Sequence, residues 1–442
     1  MKTRIPEASA PYPSEYDLPG RKRGARVFLA EGGSWAATSG VQANFFNVFT
    51  IKLGATASQM SLFAASAELF TIVTQNFTPG ITRAMGGRKR MVVATNLLSA
   101  IPWAMLCFVP AMPNGSQVWA SIILTGLAMT ALLATEAAWM SWMSDLVPQH
   151  RRGRYMGVRG AMTTAISVVI GITGAYGPGL FQGGRFEGDG AGGMAAGVFV
   201  ALFALGTAAR IISAVMFMTV EDPRPDLKVA VNPPPWKLLS LVTPRTRLGM
   251  FYIYMCVAYI GGYFAAPFFG VYLLNDLGLS VSRYITFGIA SSIAAIVTMP
   301  FWGRFADRYG NWKVMAICAT VLSAFPVLIM LHPSPWWIGA VYAFTGLTTS
   351  GWGFCLYNFC LENASDEERP RAVSLYRVMG STGSLAGALL AAYLAPRVPT
   401  IFTHQIMTMF VIALVLRGAA TAVMMPMFRG TTSAFSASRS RP

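Results

Sequence analysis

Apolar residues in this chain do not alternate with polar ones. They run in blocks of about 20, long enough to cross roughly 30 Å of hydrocarbon as an α-helix, and the blocks are parted by short polar turns marked by Gly and Pro. Twelve blocks follow one another: Val27 to Thr50, Ser58 to Pro79, Met91 to Pro110, Val118 to Asp145, Tyr155 to Leu180, Met194 to Val220, Leu248 to Leu274, Tyr284 to Trp302, Val314 to Leu331, Trp336 to Leu361, Ala372 to Ala395 and His404 to Phe428. Backbone polar groups inside a bilayer must bond within their own segment, so blocks of this length predict helices. The expected fold is an all-α integral membrane protein of twelve transmembrane helices. One long hydrophilic connection, Glu221 to Arg247, parts six blocks from six. The expected units are an N-terminal segment 1–26, a six-helix bundle 27–220, a central loop 221–247, a second bundle 248–428 and a basic tail 429–442.

Composition agrees with this pattern and charge orients it. The chain is 54% hydrophobic and 12% charged, with a mean hydropathy of +0.50, whereas soluble domains carry about 25% charged residues. The net charge of +16 raises the question of nucleic acid, but 28 of the 34 Lys and Arg lie at the termini and even-numbered connections. Only Lys52, Arg185, Arg283 and Arg397 flank the odd-numbered ones. By the positive-inside rule both termini are then cytoplasmic, in a multi-pass plasma-membrane protein. Nucleic acid drops out as a partner, and the basic ends at Arg21 to Arg26 and Arg439 to Arg441 suit anionic lipid headgroups. No apolar core precedes Val27, so no cleavable signal peptide is expected there.

Several chemistries lack their residues. Cys107, Cys256, Cys318, Cys355 and Cys360 are scattered through the spans, which gives no disulfide framework. His150, His332 and His404 form no HExxH, so no metal site is expected. No lysine follows a glycine, which excludes the GxxxxGK phosphate loop, and there is no GxSxG. No enzyme and no cofactor are expected, and energy for work must come from a gradient.

The two halves carry matching marks. GITRAMGGRKR (Gly80 to Arg90) follows the second span and GRFADRYGNWK (Gly303 to Lys313) the eighth. Asp145 precedes Arg152 by seven residues, as Glu362 precedes Arg369, and the sixth and twelfth spans each hold one arginine, Arg210 and Arg417. These marks argue for a six-helix repeat. Together with GRFADRYG they resemble the major facilitator superfamily, whose loop signature reads approximately GxxxDRxGR, over about Val27 to Phe428. The second-half copy keeps Gly303, Asp307, Arg308 and Gly310. The first-half copy keeps Gly80, Gly87, Arg88 and Lys89 but has Ala84 in place of the acid.

The resemblance implies two bundles rocking about a central site, with these loops holding the cytoplasmic side shut when the cavity opens outward. Gly303 and Gly310 are expected to form a tight turn, with Asp307 facing the start of the fifth span at Arg154 or Arg159. The plainer alternative is that these charges only fix topology.

Ionisable groups at membrane depth are costly, so each invites a role. Glu68, the deepest acid, is a candidate for proton coupling or a packing carboxyl. Glu31 begins a face that continues through Trp35, Thr38 and Gln42, which suits a cavity wall; the alternative is an interfacial bond to Arg26 or another loop. Glu136, beside Trp139 and Trp142, is a cavity residue or the partner of Arg159 or Arg210. Arg210 and Arg417 lie on spans that are peripheral in the resembled fold and are expected to snorkel or to tie down an acid. Asp145 with Arg159, and Glu362 with Arg377, are expected interhelical pairs. Tyr259, Tyr263 and Asn358 supply aromatic and polar handles for an organic substrate or simply fill helix contacts.

The functional expectation is a monomeric, proton-coupled secondary carrier of a small organic solute. A Gly and Pro run, Gly171 to Gly184, loosely resembles the motif of proton-coupled antiporters and tilts the direction toward efflux. Nutrient import, or a membrane sensor that keeps the fold and moves nothing, are the alternatives.

Overall fold

A computed structural model describes residues 19–147, 149–182, 194–223, 242, 246–364 and 369–424. The N-terminal segment to residue 18, most of the central loop and the tail from residue 425 lie outside these. Among the described residues there are twelve long α-helices: α1 (Pro19–Lys52), α2 (Ala57–Ala84), α3 (Arg88–Leu106), α4 (Asn114–Leu146), α5 (Gln149–Gln182), α6 (Met194–Met218), α7 (Arg247–Val271), α8 (Val281–Tyr309), α9 (Asn311–Met330), α10 (Pro335–Glu362), α11 (Arg369–Leu394) and α12 (Gln405–Met424). Eight of them are long and apolar enough to cross a membrane on length and composition alone. The other four, α1, α2, α10 and α11, are diluted by Gly, Ser, Thr and aromatic residues, and three of those line the cavities described below.

Local signals set the helix starts. Thr56 accepts from Gln59 N while the Gln59 side chain returns to the Thr56 backbone, a complete capping box. Ser280 and Ser334 cap α8 and α10, the latter with Pro335 as its first residue. The helix ends overrun the apolar blocks. α2 continues through Gly80 to Ala84 and α8 through Gly303 to Tyr309. The expected turn role of Gly303 is therefore corrected. It is helical, and the reversals are made by Gly86 and Gly87 (φ 76° and 134°) in one half and by Gly310 (φ 86°) in the other.

Packing follows the two sequence halves. In the first, α3 packs on α4 and α6, α1 on α5 and α6, and α2 on α4; in the second, α8 packs on α10, α9 on α10 and α12, and α7 on α11 and α12. Small residues allow these approaches, since association in lipid depends on close contact rather than on the hydrophobic effect. A Cβ at Gly346 would lie 1.9 Å from Ser291 O, and one at Gly174 would lie 2.5 Å from the Phe45 ring.

The halves meet along α2 with α11, α2 with α7 and α5 with α8, and the two ends of the molecule differ. At one end a single apolar core runs across both halves, from Phe45, Phe49 and Ile51 to Phe264, Phe268 and Leu274. Hydrogen bonds close the same end: Ser58 Oγ donates to Ala392 O at 2.9 Å and Ser282 Oγ to Ala175 O at 2.8 Å, while the Tyr176 and Thr286 hydroxyls are 2.6 Å apart. At the other end the apolar residues form two separate clusters. One is built around Phe28, Trp139, Trp142 and Phe217, the other around Phe251, Met315, Leu356 and Phe359. Among the described residues the apolar core is continuous between the halves at the end where α1 and α7 finish, the closed end, and divided at the end where α2 and α8 finish, the parted end.

Candidate functional site

Two cavities contain the membrane-depth acids and Arg210. The first, about 400 Å³, is walled by α1, α3, α4, α5 and α6 of the first half alone. Glu31 and Trp35 come from α1, Asn96 from α3, Glu136 and Trp139 from α4, Arg159 from α5 and Arg210 from α6.

Behind this cavity lies a buried polar network. Glu31, 2% exposed, is paired with Arg159 Nη2 at 3.0 Å and accepts from Ser213 Oγ at 2.7 Å. Arg159 also donates to Phe28 O and lies over the Trp139 ring at 4.5 Å. Arg210, also 2% exposed, donates from Nη1 to Asn96 Oδ1 at 3.1 Å. Of the two expectations for Arg210, snorkelling is corrected: α6 turns it inward, where Asn96 rather than water takes its hydrogen bond. Glu136 is exposed on the cavity lining and is paired with neither Arg159 nor Arg210, both of which bond elsewhere. Thr38 lies further along α1, where packing closes over it, and its hydroxyl donates back to Ser34 O. It lines neither cavity, and neither do the half-buried Gln42 and Asn358.

The second cavity, about 220 Å³, lies where the halves meet, between α2, α7 and α11. Glu68 of α2 faces the hydroxyls of Tyr263 on α7 and Ser381 on α11. Tyr376, Arg377, Gly380 and Ser384 complete its α11 wall. From Glu68 an aromatic row runs into the second half: Tyr263 to Tyr259 at 6.0 Å between centroids, Tyr259 to Trp352 at 5.3 Å, and Arg417 over Trp352 at 5.0 Å. Arg417, like Arg210, points inward rather than snorkelling. Sequence reasoning singled out Glu68, Tyr259 and Tyr263 but not the α11 wall. Its signal was present as Tyr376, Gly380 and Ser384, spaced four apart on one helix face.

The loop residues form intrahalf braces. Arg88, 2% exposed, donates to Asp222 at 2.7–3.1 Å and to Ser141 O at 3.0 Å, and pairs with Asp145. Asn311 donates to Glu362 Oε1 at 2.7 Å. These contacts replace the expected pairs of Asp145 with Arg159 and of Glu362 with Arg377. Asp307, Arg308 and Arg154 are exposed at the parted end, Arg308 lying 5.4 Å from the Tyr309 ring. Arg159, offered as a partner for Asp307, is instead held in the first half by Glu31.

Residues 251–402 match the model of the Major Facilitator Superfamily. Three solved structures share the fold over nearly the whole chain. A mutant of the nucleoside transporter NupG superposes with a TM-score of 0.69 at 14% identity, covering 92% of this chain and 99% of its own. A bacterial homolog of the human lysosomal transporter Spinster, inward-facing and unoccupied, gives 0.61 at 14% identity, covering 94% and 98%. A mutant of the peptide transporter POT, in complex with alafosfalin, gives 0.61 at 15% identity, covering 93% and 95%. No curated protein matches the chain by sequence. The match over residues 251–402 and the fold shared over nearly all of the chain relate its architecture to that of major facilitator transporters.

Proposed function

We propose that this chain is a secondary active transporter that moves a small organic solute across the plasma membrane by alternating access, coupled to protons and working as an exporter. The observation that carries the reading is the difference between the two ends: one apolar core joins the halves at the closed end, and two separate cores face each other at the parted end. A rigid-body rock that exchanges these states exposes the centre to each side in turn. The parted end carries the basic loops after α2 and α8, which the positive-inside rule assigns to the cytoplasm. The state described is then inward-facing.

Proton coupling is assigned to Glu68. It is half-buried at the seam between α2, α7 and α11, the surface that a rock must shear, so its surroundings change with the state. Export rests on the small-residue face of α5, where Gly171 and Gly174 press on Asn44 and Phe45 of α1, and on the resemblance of that run to the antiporter motif. The exposed charges Asp307, Arg308 and Arg154 are proposed as the latch of the opposite, outward-facing state.

The test is flux in proteoliposomes, with a solute first identified by thermal shift of the purified protein. A proton gradient should drive transport by the wild type, and Glu68→Gln should retain solute exchange while losing gradient-driven accumulation. Accumulation by Glu68→Gln equal to wild type overturns the proton assignment, and no flux of any bound solute overturns the transporter reading.

A further inference from the structure

We infer that the recess inside the first half is a binding site for a small organic monocarboxylate with an apolar body, whose carboxylate docks on Arg210. The inference rests on the transporter reading for its physiological meaning but not for its test.

The charge count inside the recess is unbalanced. Two buried guanidinium groups, Arg159 and Arg210, share one buried carboxylate, Glu31. Both carboxylate oxygens of Glu31 are already engaged, Oε2 by Arg159 and Oε1 by Ser213. Arg210 lies within the field of Glu31, but its hydrogen bond goes to the neutral Asn96 carbonyl. Two buried cations sharing one acid leave the recess one positive charge in excess, a costly arrangement at membrane depth that invites a functional role.

Hydrogen bonding shows the same deficit. Arg210 Nη2 is a buried donor with no acceptor, and so is the indole Nε1 of Trp139 on the same lining. A carboxylate supplies what the recess lacks, a negative charge with several acceptor positions suited to the planar guanidinium.

The remaining wall selects the rest of the ligand. Trp35, Met140, Met156 and Phe217 are apolar or aromatic and leave about 400 Å³, within the range of small-molecule sites. Glu136, exposed on the lining, places an acid there. It repels a second carboxylate, so a monoanion is preferred to a dicarboxylate. Exposed Gly160 also lines the recess, and a Cβ there meets nothing within 4 Å, so a side chain can be added at this point without displacing the charged network.

The test is isothermal titration of the full-length wild-type protein in detergent with four probes: 3-phenylpropionate, its alcohol 3-phenylpropanol, succinate and inorganic phosphate. The expected result is saturable binding of 3-phenylpropionate, with the alcohol, the dicarboxylate and phosphate each at least tenfold weaker. Arg210→Gln should lose at least tenfold for 3-phenylpropionate. Gly160→Phe should block the recess while the unliganded melting temperature stays near wild type, so the proposal does not depend on an arginine variant that fails to fold. Equal binding of the alcohol, preference for succinate or phosphate, or undiminished binding by Gly160→Phe overturns it. Binding without flux leaves this inference standing and defeats the transporter reading. Flux of some other solute without carboxylate binding does the reverse.

Discussion

Arg88 and Asn311 hold the same place in the two halves. Each opens the third helix of its half directly after a glycine of positive φ, and each reaches the acid at the end of the fourth helix, Asp145 or Glu362. The brace is kept while its chemistry differs, a guanidinium between two carboxylates in one half and an amide on one carboxylate in the other.

Unequal costs follow. Arg88→Ala removes the buried guanidinium that pairs with Asp145 and Asp222, and breaking a buried pair in this way costs about 3–5 kcal/mol. Asn311→Ala removes one hydrogen bond to an exposed acid and should cost about 0.5–1.5 kcal/mol. Thermal unfolding in detergent should rank the two in that order, and a larger loss for Asn311→Ala contradicts the equivalence drawn here.

The Glu362 brace should also respond to pH. Glu362 ends α10 beyond its apolar stretch. Burial pushes its carboxyl above the ordinary range, the Asn311 amide opposes this, and the nearby Asp307 charge adds to it. A carboxyl whose folded pKa is raised binds protons more readily folded than unfolded, so it lowers stability as pH rises from the unfolded toward the folded value. Asn311→Asp exchanges the opposing amide for a second carboxylate and enlarges that shift. Its stability deficit against wild type should be large near pH 8 and shrink toward about pH 5; melting curves across that interval read the trend, and a deficit independent of pH contradicts it.

The two glycines of GRFADRYG should behave oppositely. Gly310 adopts φ 86° and ψ 146°, a conformation almost confined to glycine that costs L side chains about 1–3 kcal/mol. Gly303 is helical, with only ordinary contact awaiting a Cβ from Phe354 at 3.9 Å. Gly310→Ala should therefore destabilise by about that amount, and Gly303→Ala should be neutral or stabilise by up to about 1 kcal/mol. Chemical denaturation of both variants checks the pair.

The twelve helices were legible because an apolar run of about 20 residues has few other fates. Their ends were not. α2 and α8 add polar turns past the hydrocarbon, which hydropathy does not register, and that displaced Gly303 from a turn into a helix. Acids and bases were legible as unusual residues but not as partners, because partnership depends on helical phase and on which helices adjoin. Glu31 with Arg159, and Arg88 with Asp145, join residues more than fifty positions apart in the chain. Arg210 and Arg417 were expected to snorkel to the headgroups or to tie down an acid, because their helices are peripheral in the resembled fold. Asn96 and Trp352 instead draw them inward. At the Glu68 cavity the acid and two tyrosines were visible in advance, while Ser381 and Ser384 were hidden among the small residues common to any membrane helix.

The central claim is that the two halves exchange which end is closed, and paired distance measurements by electron spin resonance test it most directly. Labels at Lys52 and Arg397 report the closed end, labels at Arg154 and Asp307 the parted end, and all four positions are exposed. In a variant lacking the native cysteines, ligand or a change of pH should shift the two distance distributions in opposite directions, the first lengthening as the second shortens. Distributions that stay fixed at both ends, or that move in the same direction, contradict the account.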